Sequence, residues 1–126
     1  MRKTGIALAL LLMNLDAANA GAAATIAFEP YVLTGPEGAQ VEAELGTLNV
    51  PEVRGRTGAR TIPVRFVRLR ATTAERGPPI VYLAGGPGGS AIGLGEALRF
   101  TFFTRLREAG DVILLDQRGA GRSNTL

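Results

Sequence analysis

The chain has 126 residues, 14 Lys and Arg against 11 Asp and Glu for a formal net charge of +3 at pH 7, and neither histidine nor cysteine. Without cysteine, disulfides, thiolate metal sites and a lipoprotein anchor are excluded; without histidine, the usual base of a serine hydrolase and the commonest metal ligand are missing too. The arginines (Arg65, Arg68 and Arg70, then Arg99, Arg105 and Arg107) are dispersed and form no dense stripe, which argues for solvated surface and against a nucleic-acid interface.

In chain order, Arg2-Lys3, the apolar run Ile6 to Met13 and Ala18-Asn19-Ala20 have the arrangement of a secretory signal peptide over residues 1–20. The run is too short to cross a bilayer, so the expectation is export, periplasmic or extracellular, with no stable membrane anchor. A buried N-terminal strand or helix is the alternative. Residues 21–40, rich in Ala and Gly with Pro30 and Pro36, read as a leader of uncertain order. The remainder, 41–126, reads as one partial domain.

Val41 to Val50 alternates Val41, Ala43 and Leu45 against Glu42 and Glu44, a strand pattern. Pro51 to Arg60 holds Gly55 and Gly58 among charges and is too long for a tight hairpin turn. Ile62 to Ala71 is a second strand, and Gly77-Pro78-Pro79 then breaks the chain. Ile80 to Leu83 and Val112 to Leu115 are short, continuous apolar runs suited to strands buried on both faces of a parallel sheet. Between them Leu94, Leu98, Phe102 and Leu106 recur every four residues, which predicts one helix over Leu94–Glu108 with Gly110 as its stop. Phe100 and Phe103 fall off that stripe, either as partly exposed residues or as residues packing on further chain. The expected fold class is α/β, with antiparallel first strands followed by a strand–helix–strand parallel unit.

Two glycine-rich stretches each follow an apolar run: Gly85-Gly86-Pro87-Gly88-Gly89-Ser90 and Asp116-Gln117-Arg118-Gly119-Ala120-Gly121-Arg122-Ser123. Glycine just after a buried strand marks backbone that must approach something closely or adopt φ > 0. Together with Gly46-Thr47-Leu48-Asn49-Val50-Pro51, these motifs resemble the first half of an α/β-hydrolase of the proline iminopeptidase and tripeptidyl aminopeptidase group. The resemblance runs from about Glu44 to Asn124. This chain has Leu45 where relatives often carry cysteine, and Ala84 where they often carry histidine.

The resemblance implies acyl transfer, in which the first glycine loop offers a backbone N–H to the oxyanion of a tetrahedral intermediate. Pro87 has no N–H, so Gly86 is the first choice for that donor and Gly85 the second. The competing reading is a simple strand-to-helix turn. For Asp116 and Arg118 a bracing network is favoured over direct catalysis. The resemblance also allows a cis Gly86–Pro87 peptide.

A nucleophile elbow needs Gly-x-Ser-x-Gly, and both Gly88-Gly89-Ser90-Ala91-Ile92 and Gly121-Arg122-Ser123-Asn124-Thr125 fail at the last position. No Gly-Lys-Ser/Thr or Gly-x-Gly-x-x-Gly is present, so no catalytic residue, metal site or cofactor is assigned to this chain. The expectation is the N-terminal part of a secreted serine hydrolase that removes residues or short peptides from free N-termini. This part is inactive alone, its serine, acid and histidine lying beyond Leu126. The partner of the whole would be a peptide or small acyl substrate. An esterase, lipase or epoxide hydrolase of the same fold, or a non-enzymatic binding module, are the alternatives. With Ile80–Leu83 left as an apolar sheet edge, the isolated chain is expected to be marginally stable and to self-associate.

Overall fold

A computed structural model describes residues 25–123 of the chain; the signal-peptide reading of residues 1–20 lies outside these. The elements are β1 (Ile26–Thr34), β2 (Gln40–Pro51), β3 (Thr61–Leu69), β4 (Ile80–Leu83), α1 (Ala91–Gly95), α2 (Phe100–Leu106) and β5 (Val112–Leu115). They form one mixed sheet in the order β1-β2-β3-β5-β4, antiparallel throughout except for the parallel pair β4 and β5. With two short helices beside it, the architecture is a mixed five-stranded sheet with few helices, consistent with an α/β class.

The stretch read as a leader of uncertain order contains β1, which pairs with β2 from Ile26↔Leu48 to Thr34↔Gln40. Pro30, one of the residues behind that reading, is tolerated because β1 is an edge strand among the described residues. The hairpin between β1 and β2 turns at Pro36–Gly38, and that between β2 and β3 at residues 52–60, closed by the Glu52 N–H donating to the Arg60 carbonyl.

Strand register assigns the two faces of the sheet. Leu33, Leu45, Val67, Leu69, Val112 and Leu114 point to one face, where Ala91, Ile92, Phe100 and Phe103 cover them and close the core. The opposite face carries Phe28, Leu48, Val64, Phe66, Ile113, Leu115, Val81 and Leu83. There Phe66 lies over Gly46, whose absent Cβ would sit 2.2 Å from the Phe66 ring, and Phe28 meets Phe66 edge-on at 5.8 Å. Towards β4 nothing covers this second face among the described residues, and Val81 and Leu83 are 55% and 52% exposed. The strand expected to suit burial on both faces is half-buried at Ile80 and Tyr82 on the core face and exposed at Val81 and Leu83 on the other.

The single helix expected over Leu94–Glu108 is two helices with a turn at residues 96–99. A Cβ on Gly95 would stand 2.5 Å from Leu114 Cδ1, so α1 lies with its backbone against β5 and the chain must bend to lay α2 on the sheet. The bend resets the helical phase. Leu98, placed on the apolar stripe by the four-residue repeat, is 91% exposed, whereas Phe103 is fully buried with its ring 4.8 Å from Tyr82. Phe100 is buried as well, against Gly35.

Candidate functional site: a cleft between two glycine loops

β4 and β5 run parallel and end side by side, so the loops that follow them, Ala84–Ser90 and Asp116–Ser123, meet at one end of the sheet. Between Ala84–Gly89 and Gln117–Ala120 they enclose an open cleft of about 280 Å³. Five of its ten lining residues are glycine, so much of the wall is backbone. Gly86 at φ 114°, Gly88 at 81° and Gly119 at 75° take conformations that a side chain would strain. All described peptide bonds are trans, so the cis Gly86–Pro87 expectation is corrected: the sharp turn comes from positive φ at the glycines on either side of Pro87. The N–H of Gly86 makes no hydrogen bond among the described residues.

Asp116, fully buried, ties the two loops together. Its carboxylate accepts from the Ser90 hydroxyl at 2.9 and 3.0 Å, from the Ile92 N–H at 3.2 Å and from the Arg122 N–H at 2.8 Å. Ser90 Oγ in turn caps α1 by accepting from the Gly93 N–H at 2.9 Å. A buried carboxylate is tolerated when charge-assisted donors surround it, as they do here. Gly121 permits the arrangement: a Cβ there would lie 2.1 Å from Asp116 Oδ2 and 2.6 Å from Ser90 Oγ.

Four further bonds brace the two loops. The Gln117 side-chain amide donates to the Ala84 carbonyl at 3.1 Å, joining the loops across the cleft. Ser123 Oγ accepts from the Arg65 N–H and donates to the Asp116 carbonyl, anchoring the second loop to β3. Arg118 does not meet Asp116; its guanidinium donates to the Glu52 carbonyl at 3.0 Å, in the β2–β3 hairpin. Asp116 thus braces the first loop, and Arg118 the β2–β3 hairpin.

Beside α1 the Tyr31 hydroxyl donates to Glu96, which also pairs with Arg122 at 3.2 Å, while the Arg122 guanidinium stacks 5.3 Å from the Tyr31 ring. Burial first, and then the hydrogen bond to Glu96, push the Tyr31 phenol up to about 12. Arg122 therefore touches both networks, by its backbone and by its side chain. Sequence separation hides these contacts, since Tyr31 and Glu96 are 65 positions apart. The signal that could have found Ser90 is its place three residues before a helical N–H, a capping position.

Among the described residues no cluster of carboxylates is arranged to hold a metal ion, and no helix is long and apolar enough to cross a membrane. The hydroxyls of Ser90 and Ser123, next to the loops that line the cleft, both donate to Asp116 and accept from backbone N–H groups. The cleft can present backbone donors to a carbonyl or anionic oxygen. No family model, curated protein or solved structure matches the chain.

Proposed function

We propose that the chain is the N-terminal, oxyanion-stabilising part of an exported α/β-hydrolase related to proline iminopeptidases and tripeptidyl aminopeptidases. The observation that carries this reading is the glycine-walled cleft at the ends of two parallel strands, with the Gly86 N–H unspent and the loop held by Ser90 and Asp116. Gly86 is the oxyanion donor and Gly85 the alternate. In such a site the chain stabilises the developing oxyanion of a peptide or small acyl substrate, an effect on the order of 3 kcal/mol for one preorganised donor. Asp116 and Arg118 act by bracing: Asp116 fixes the first loop, and Arg118 fixes the β2–β3 hairpin to the second. The nucleophile, acid and histidine come from polypeptide beyond these residues, because the sequence contains no histidine and no Gly-x-Ser-x-Gly.

The uncovered apolar strand face supports a second reading, a module that binds another polypeptide without catalysis. Reading the DNA downstream of Leu126 separates the two. An in-frame Gly-x-Ser-x-Gly followed by an acid and a histidine supports the hydrolase; a stop codon at that point in the native gene, with no such frame adjoining, removes it. Export is tested by N-terminal sequencing of the mature protein, which is expected to start after Ala20; a retained Met1 contradicts it.

A further inference from the structure

The β2–β3 connection is fastened at its two ends and loose between them. At the closed end the Glu52 N–H donates to the Arg60 carbonyl at 2.8 Å, and the Arg60 guanidinium grips the Glu52 carboxylate at 2.6 and 3.1 Å. From Val53 to Gly58 every residue is exposed, and no backbone N–H donates a hydrogen bond among the described residues. A Cβ on Gly55 or Gly58 would meet nothing within 4 Å, so the segment stands clear of the sheet.

A protease that cuts after arginine needs a guanidinium free to enter its acidic pocket and a carbonyl free to enter its oxyanion hole. The described residues hold no lysine, and their arginines differ on both counts. Arg60, Arg68, Arg70, Arg76 and Arg122 meet carboxylates. Arg107 and Arg118 donate to backbone carbonyls. The carbonyls of Arg56, Arg65, Arg99 and Arg105 accept from the N–H groups of Ala59, Asp116, Phe103 and Glu108. Among the described residues Arg54 alone has both groups free.

We propose that this connection is a processing site for an arginine-specific protease, which cuts after Arg54, and that the nicked chain stays in one piece. Water adds across the Arg54–Gly55 bond: Arg54 keeps the carbonyl as a new carboxylate, and the Gly55 nitrogen takes the proton as a new amine. Gly55 puts no side chain after the cut, and nothing packs on Gly55 or Gly58 to resist straightening of the segment into the protease. The pieces stay joined because β2 and β3 pair from Glu44↔Arg68 to Pro51↔Thr61. Arg60 and Arg118, on one side of the cut, also hold Glu52 on the other. The inference stands whether or not the chain belongs to a hydrolase.

The probe is trypsin at a low ratio, acting on the full chain in native buffer, with cut sites read by intact-mass spectrometry. Within residues 25–123 the first cut is expected after Arg54, at least about tenfold faster than after any arginine in a helix or strand, which must first open locally. Size exclusion should elute both pieces together, and concentrated urea should part them. Arg54→Gln should leave only a slower cut after Arg56, and R54Q/R56Q should leave the connection whole, with circular dichroism unchanged in both. A first cut outside the connection, or no cut ahead of general degradation, overturns the proposal. So does cleavage after Arg56 in R54Q as fast as the first cut in wild type, or separation of the pieces without denaturant.

Discussion

Gly121 and Gly55 both sit at positive φ, 51° and 73°, but in different surroundings. A Cβ on Gly55 meets nothing within 4 Å, whereas on Gly121 it enters the Asp116 carboxylate and the Ser90 hydroxyl. Gly55→Ala should therefore cost only the backbone strain, about 1 kcal/mol. Gly121→Ala adds loss of the buried hydrogen bonds at Asp116, for a total of about 3 kcal/mol or more. Denaturant unfolding of the two variants checks this, and equal costs would show that the Asp116 network is not rigid. Glu44 supplies a pH test at the same scale. Hydrogen bonds from Arg70 and then Arg68 pull its carboxyl down from 4.5 to about 2. Because the folded value lies below the unfolded one, the stabilisation is complete above pH 4.5 and is lost as the pH falls towards 2. Arg70 is exposed, so solvent screening keeps the effect small. The stability difference between wild type and Glu44→Gln should shrink between those two conditions; a constant difference contradicts the pairing.

The two helices bear on how the core is filled. Phe103→Ala removes a fully buried ring that contacts Tyr82 and should cost about 3–5 kcal/mol, whereas Leu98→Ala should change stability by less than about 0.5 kcal/mol. Thermal unfolding of the pair checks it; a large loss at Leu98 would restore the single continuous helix. The four-residue repeat of Leu94, Leu98, Phe102 and Leu106 misled because periodicity assumes an unbroken helix, and the close approach of Gly95 to Leu114 breaks it. The strands were more legible. Alternation exposed β2 and β3, and short apolar runs bounded by glycine and proline marked β4 and β5 to the residue. β1 was hidden in an Ala- and Gly-rich stretch with Pro30 and Pro36, where the edge position makes Pro30 acceptable. At the site, the glycine loops stood out as motifs, but the partners of Asp116 did not, since they arrive from two loops and a helix that only the parallel β4 and β5 bring together.

Across the molecule, one face of the sheet is closed by α1 and α2 while Val81 and Leu83 on the other remain exposed, and β4 pairs on one side only among the described residues. An apolar edge without charge or proline inside it recruits other strands, so the free chain should associate in an open-ended, concentration-dependent way. A monodisperse monomer with a sharp two-state melt, by scattering and calorimetry, would contradict that. The same geometry sets the limit on chemistry: the cleft has backbone donors, and the hydroxyls of Ser90 and Ser123 are held within the Asp116 network. The most direct test of this division is intact-mass spectrometry of the full chain after treatment with a fluorophosphonate, which labels only an activated serine. An unmodified mass is the predicted result, and one adduct per chain at Ser90 or Ser123 would contradict the account.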